Sequence, residues 1–309
     1  MSSLRPHSLG ELATFTRAGT ANYVDSAGTM TAADANVGRV EYDPLTLAVR
    51  GLLVEEGRTN LLLNSATLST QGVTVTAVAH TLSFYGTGTI TLTGASTAGP
   101  LVGTGAGRVS LTFTPSAATL TCTVSGTVSS AQLEVGAYPT SYVTTAGTSI
   151  ARARDVTSIL TPPTWLVDTD GTVYVEFLMP FTPPSDGVLR RLFQFDDASE
   201  ANRITVYLSG ATVTANLVTG SAAQVTASLG TIVGSTAYRA AFGWAANNCA
   251  AVLNGNTLVA DATATLPAGL TTARLGNASA TGSDLSGYLR KLRYYPRRLS
   301  DNDLRALVA

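Results

Sequence analysis

Apolar residues along this chain recur at every second position far more often than at helical spacing. In the run Thr89-Ile90-Thr91-Leu92-Thr93, Ile90 and Leu92 share one side and the threonines take the other. That two-residue repeat is the mark of a half-buried strand. It returns in Val73–Val78, His80–Tyr85, Arg108–Thr114, Thr119–Val124 and Ala131–Val135. Gly86, Gly94, Gly99-Pro100, Gly103, Gly105 and Pro115-Ser116 punctuate these runs at turns. Short strands at this spacing predict a β-sandwich over residues 66–136.

A second, larger sandwich is predicted over residues 164–309. Val173, Val175, Phe177 and Met179 line one face of Thr172–Met179, and comparable runs are Leu192–Phe195, Arg203–Leu208, Thr212–Val218, Gln224–Leu229, Tyr238–Trp244 and Ala250–Leu253. Asn254-Gly255 predicts a two-residue hairpin turn into Thr257–Ala260, because both residues tolerate positive φ. Arg274–Gly276 and Tyr288–Tyr295 complete the strands. Only the end predicts a helix, with Ser300 as its cap, Asp303 three positions on, and Leu304 and Leu307 on one face. Residues 1–65 alternate weakly around Phe15, Tyr23, Val24, Val40 and Tyr42. They predict an extended N-terminal arm without a compact core. Residues 137–163, with Tyr138-Pro139, Gly147 and Pro162-Pro163, predict a connector. The fold class is therefore all-β: an arm, two antiparallel sandwiches of jelly-roll type, and a short C-terminal helix.

Composition supports a folded chain. Of 309 residues 45% are hydrophobic and only 13% charged, against roughly 25% charged in typical domains. The net charge of −1 supplies no basic field for nucleic acid, so none is expected as a partner. No apolar run reaches the roughly 18 residues of a membrane span, and the opening MSSLRPHSLG lacks the apolar stretch of a secretory signal. Cys122 and Cys249 each sit in an apolar alternating run and are expected as small buried hydrophobes, unbridged.

Longer strings carry a resemblance. YDPLTLAVRGLLVEEGRTNLLLNS (42–65), HTLSFYGTGTITLTG (80–94) and AQLEVGAYPTSYVTTAGTSIARARD (131–155) are similar to segments of tailed-bacteriophage virion proteins. There they mark a lead-in and a small jelly roll of carbohydrate-binding-module type. GYLRKLRYYPRRLSDNDLRALVA (287–309) and AAVLNGNTLVA (250–260) resemble the closing strand and a hairpin of laminin-G-like, concanavalin A-like lectin domains. The resemblance covers roughly residues 40–309. It implies a fibre, spike, tail-tip or capsid-surface component, made in the host cytoplasm and residing in the virion. It further implies attachment to other virion proteins through residues 1–65, a homo-oligomer, with a trimer the usual state, and contact with host surface polysaccharide.

Catalytic chemistry finds little support in the residues. Laminarinase-like enzymes of related fold carry a Glu-x-Asp-x-x-Glu strand; here the second sandwich has only Glu176 and Glu200, in separate segments. Glycosidases need two carboxyl groups facing one another across the scissile bond. The only histidines are His7 and His80, neither near a Gly-x-Ser-x-Gly elbow, so no triad is expected. Asp168-Thr169-Asp170-Gly171 starts like a calcium loop, but the twelfth position is Met179 rather than Glu. Asp196-Asp197 with Glu200 and Asn202 is a better oxygen cluster, more simply read as an acidic hairpin loop. No catalytic residue, metal or cofactor is therefore expected. The basic group Arg290, Lys291, Arg293, Arg297 and Arg298 alternates with apolar residues and predicts a solvated edge or subunit contact. Sugar binding is the sharpest positive expectation. Trp244 with Asn247 and Asn248, and with Tyr207 and Asp196 nearby if the hairpins stack, would pair an aromatic face with amides and a carboxylate. The competing expectation is that Trp244 is core, since it shares a strand face with Phe242. Trp165, after Pro162-Pro163, is expected to pack a domain junction.

Overall fold

The computed structural model describes residues 13–159, 166–167 and 169–309. His7, Trp165 and Asp168 lie outside the described residues. The lead-in forms β1 (Thr14–Thr16), β2 (Ala21–Val24), β3 (Met30–Ala33), β4 (Arg39–Tyr42), β5 (Val49–Val54) and β6 (Arg58–Asn60). Next come β7 (Gln71–Thr74), β8 (His80–Gly86), β9 (Thr89–Gly94), β10 (Leu101–Val102), β11 (Val109–Phe113), β12 (Thr119–Ser125) and β13 (Val128–Val135). Two short strands, β14 (Ile150–Arg152) and β15 (Val156–Ile159), lie in the stretch expected as a connector. The rest is β16 (Asp170–Leu178), β17 (Leu189–Asp196), β18 (Arg203–Ser209), β19 (Thr212–Thr219), β20 (Ala222–Thr231), β21 (Ala237–Ala245), β22 (Cys249–Leu253), β23 (Val259–Asp261), β24 (Thr272–Leu275) and β25 (Gly287–Tyr295), closed by helix α1 (Asp301–Val308). The all-β class with a short C-terminal helix is what the alternation predicts.

Two seven-stranded sheets build the larger sandwich, in the orders β1-β15-β24-β17-β18-β19-β20 and β23-β22-β21-β16-β25-β5-β4. Their inner faces meet in one core: Val173, Val175 and Phe177 of β16, Phe193 and Phe195 of β17, Ile204, Val206 and Leu208 of β18, and Phe242 and Trp244 of β21. Gly171 of β16 faces that indole, and a Cβ there would stand 2.4 Å from Trp244 Cζ2. Gly171→Ala should therefore cost about 1–3 kcal/mol by overpacking; a thermal melt indistinguishable from wild type would refute this packing.

Residues 13–60 do not form a free arm. β1 pairs with β15 at the edge of one large sheet, and β5 pairs with β25 in the other, with β4 outside it. Val54 belongs to the large core, with Leu52 packed against it. The lead-in shows no core of its own because its apolar residues complete a core whose other strands lie more than a hundred residues away. Gly51, at φ +131°, allows the closest approach: a Cβ there would stand 2.6 Å from the Leu289 carbonyl oxygen.

The smaller sandwich packs the sheet β10-β9-β12-β7 on β11-β8-β13, around Leu82, Phe84, Ile90, Leu92, Leu120, Cys122 and Leu133. The outer face of β8 and β13 is polar yet buried: Thr81, Ser83, Gln132 and Glu134 are all sealed from solvent. Residues 137–145 cover it. Thr140 N donates to Glu134 Oε1 (2.9 Å) and Val143 N to Gln132 Oε1 (2.6 Å). Asn60 Nδ2 donates to the Ala131 and Val143 carbonyls (2.9 and 2.8 Å).

One turn departs from expectation. β22 pairs with β23 as Ala251↔Val259, so the link is longer than a two-residue hairpin. Asn254 and Asn256 are engaged elsewhere: Arg239 N donates to Asn254 Oδ1 (2.7 Å), and Asn256 Nδ2 to the Leu229 carbonyl (2.8 Å). The cysteines are both buried and free. Ser300 caps α1 through Asp303 N (3.2 Å), and Leu304 and Val308 are buried.

Candidate functional site

Charge is scarce in this chain, and much of it converges on one place. Asp155, just before β15, accepts from Arg17 Nη1 at Oδ1 (3.1 Å) and from Arg39 Nη2 at Oδ2 (2.6 Å). Glu55, one residue past β5, accepts from Arg39 Nη2 (2.8 Å) and faces Arg152 Nη2 (3.4 Å). All five side chains are essentially sealed from solvent. Ser141 joins them, giving its backbone N–H to Glu55 Oε1 (2.7 Å) and its hydroxyl to Oε2 (2.6 Å). The cluster rivets the lead-in, the 137–145 cover and β15 together. Burial alone would raise the Glu55 carboxyl; the Arg152 and Arg39 guanidiniums and Ser141 instead hold it down at about 2.

Directly beside this rivet a cleft of about 410 Å³ opens between the two sandwiches. The lead-in and β5 contribute Glu41, Asp43 and Arg50, the small sandwich Tyr85, Arg108 and Ser110, and the large one Phe181 and Tyr288. Alternation explains the small-sandwich wall: Leu82 and Phe84 fill the core, so Ser83 and Tyr85 point the other way. Tyr138 stacks on Phe181 with centroids 3.7 Å apart, closing one end, while its hydroxyl donates to Glu56. Arg50 Nη2 donates to Asp43 Oδ2 (3.0 Å), whose other oxygen accepts the N–H groups of Leu45 and Thr46 (2.9 Å each). These bonds hold the Asp43 carboxyl far below the usual carboxylate range.

Glu41 is the unusual member. It is 8% exposed, accepts from Tyr288 Oη at 3.2 Å and has Arg50 Nη1 at 3.8 Å. Burial, reinforced by the neighbouring Glu55 charge, raises its carboxyl to about 7. A raised and a depressed carboxyl in one cleft is the arrangement of an acid–base pair. Here the partner is spent, since both Glu55 oxygens are filled by Ser141, Arg39 and Arg152. What the cleft offers is the half-buried Tyr85 ring, hydroxyls and guanidinium N–H groups around a void of about 410 Å³.

The five residues expected to form a sugar site, all of them among the described residues, do not share one surface. Trp244 is 0% exposed, wedged among Phe195, Phe242 and Tyr294 with centroids 5.8–6.3 Å away. Its ring therefore presents no face to a sugar, and the core expectation describes it. Asn247 and Asn248 are exposed in the turn after β21; Asn247 sits at φ +55° and its N–H donates to the Ala264 carbonyl (2.9 Å). Tyr207 and Asp196 lie on the opposite sheet, on the face turned away from the core. Tyr207 carries the Arg191 guanidinium 4.9 Å from its ring centroid. Asp196 is sealed, accepting from Arg274 Nε (2.7 Å) and Gln194 Nε2 (3.0 Å). The expected five-residue sugar platform is thus corrected: strand alternation sends Trp244 inward while Tyr207 and Asp196 face out from the other layer.

The oxygen cluster after β17 is likewise filled by the protein's own donors. Asp197 accepts from Ser199 and Asn202 Nδ2 (2.6 and 2.8 Å), and Glu200 from Gln194 Nε2 (2.9 Å) and Ser279. Glu176 takes Tyr174 Oη (3.2 Å) and lies 3.4 Å from Arg290 Nη1. His80 is buried, its Nδ1 donating to the Val78 carbonyl (2.8 Å). Tyr85, Arg108 and Tyr288 were missed because they come from three separate strands or strand ends.

No protein-family model and no curated protein matches the chain. Among solved structures, the Ruminococcus gnavus IT-sialidase CBM40 bound to α2,3-sialyllactose is similar at TM-score 0.37 and 17% identity, over 47% of this chain and 84% of that one. A heptameric SAP-like pentraxin from Limulus polyphemus is similar at TM-score 0.33 and 15% identity, over 45% and 70%. The botulinum neurotoxin serotype G binding domain is similar at TM-score 0.39 and 8% identity, over 50% of this chain and 40% of that one.

Proposed function

We propose that this chain is a non-catalytic structural component of a bacteriophage virion, a surface or tail fibre or spike protein that adheres to host-cell glycans. The junction cleft carries the glycan part of this reading. It sets the half-buried Tyr85 side chain beside the Ser110 hydroxyl and the Arg108 guanidinium in a volume of about 410 Å³, the pairing of aromatic surface and hydrogen-bonding groups that sugars require. The virion part rests on the strings at 42–65, 80–94 and 131–155. Binding of the purified chain to host envelope polysaccharide tests the reading. Tyr85→Ala should weaken binding about fivefold to tenfold, from the roughly 1 kcal/mol of a lost ring contact. Failure of the wild-type chain to bind any host envelope preparation would overturn it.

A second reading is a purely structural capsid-decoration or tail protein that binds no glycan. It is favoured by the exposed apolar residues beside edge strand β4: Val37, Val40, Leu45 (70% exposed), Leu47 and Val49. Bare edges and clustered apolar surface mark contact sites. In both readings this part of the lead-in contacts other virion proteins, and the chain assembles as a homo-oligomer, with a trimer the expected state. Mass measurement of the purified protein tests the assembly; a strict monomer at high concentration would count against it.

A further inference from the structure

We propose that the junction cleft selects sugars bearing a carboxylate, such as uronic acids, and that Arg108 receives that carboxylate; this deepens the glycan-binding reading and rests on it. Glu55 is neutralised by Arg39 and Arg152. Asp43 and Arg50 neutralise each other at 3.0 Å. Arg108 differs from every other cation at the junction. Its Nη1 donates to the Thr140 carbonyl (2.5 Å) and its Nη2 to Ser83 Oγ (2.7 Å), both neutral acceptors. Among the described residues no carboxylate lies within ion-pair distance of it. The two bonds fix the guanidinium plane and leave one N–H on each terminal nitrogen uncommitted. A planar cation held in place at the wall of a partly enclosed cleft is the donor that a carboxylate completes, with charge-assisted bonds stronger than those to a neutral hydroxyl. Tyr85 stands next to it on β8, and Ser110 follows it on β11, ring and hydroxyl for the remainder of the sugar.

Glu41 makes this selection dependent on pH. It faces Arg39 on its own strand, Arg50 and Glu55 from the β5 segment, Tyr288 from β25 and Tyr85 from β8. When protonated it is a neutral hydrogen-bonding group in the wall. When ionised it places a negative charge in the same cleft as the incoming carboxylate. Affinity for an acidic sugar therefore falls as pH rises through neutrality, and affinity for a neutral sugar does not follow that curve.

The test measures the full chain against oligosaccharides containing glucuronic or galacturonic acid and against the same oligosaccharides after carboxyl reduction. The wild type is expected to bind the acidic forms about tenfold or more tightly. Arg108→Gln should erase that preference while still binding the reduced forms, which also reports that its cleft is intact; Arg108→Lys should keep part of it. Glu41→Gln should abolish the fall in acidic-sugar affinity between about pH 6 and about pH 8. Equal binding of acidic and reduced forms by the wild type, or a preference untouched in a folded Arg108→Gln, overturns the selectivity and leaves the glycan-binding reading standing. No binding of either form, together with no binding to host envelope preparations, overturns that reading and the selectivity with it.

Discussion

Asp155→Asn is expected to lower stability by about 3–5 kcal/mol, the usual cost of removing one partner from a buried ion cluster. Asp155 bridges Arg17 and Arg39, and its Oδ2 also accepts the Glu55 N–H at 2.9 Å. With it, three guanidiniums (Arg17, Arg39, Arg152) face two carboxylates; without it, they face Glu55 alone. The amide keeps the shape but turns an N–H toward cations that need an acceptor, in a place water does not reach. Desolvation already lowers the Arg17 pKa, and Asp155 is the group that offsets it. The loss should appear as a melting temperature lower by about 10 °C, at roughly 2–4 °C per kcal/mol for a chain of this order of size. Because Asp155 ties β15 to the lead-in, limited proteolysis should find the lead-in first, with the small sandwich resisting longer. An unchanged melting temperature would mean that the five charges are not buried together in solution.

How much of this was legible from the sequence depends on the range of the contact. Local periodicity found β9, β16 and α1, since alternation and capping are written within a few residues. It also held the right alternative for Trp244, whose shared face with Phe242 put it in the core. Long-range pairing left no such trace. Arg39 and Asp155 are 116 positions apart, and a weakly alternating lead-in looks the same whether it hangs free or completes a distant sheet. The clue was composition: where only 13% of residues are charged, arginines and acids inside apolar runs such as RGLLVEEGR and SIARARD are there for one another. The cleft was invisible for a related reason. Its tyrosines, Arg108 and Glu41 sit at outward positions of separate strands, where each alone reads as an ordinary surface residue.

The second large effect concerns Glu41 and pH. Its folded pKa of about 7 lies above the ordinary 4.5 because burial disfavours the charged form. The folded chain therefore holds a proton that the unfolded chain releases near pH 4.5. Stability from this group is fully present below pH 4.5 and is lost as pH rises to about 7; above that the folded state bears the whole cost of a buried carboxylate. At about 1.4 kcal/mol per unit the cost is on the order of 3 kcal/mol. Glu55 runs the opposite way: depressed to about 2, it stabilises above pH 4.5 and loses that as pH falls toward 2. The two neighbours thus place their joint optimum in mildly acidic solution, near the pH at which Glu41 is still protonated and Glu55 already ionised. Glu41→Gln keeps an acceptor for the Tyr288 hydroxyl and removes the charge. It should raise the melting temperature at about pH 8, change it little at about pH 5, and flatten the decline between them. Denaturant titrations of both proteins across that range measure the difference directly, and parallel curves would show that Glu41 is solvated and titrates as an ordinary carboxylate.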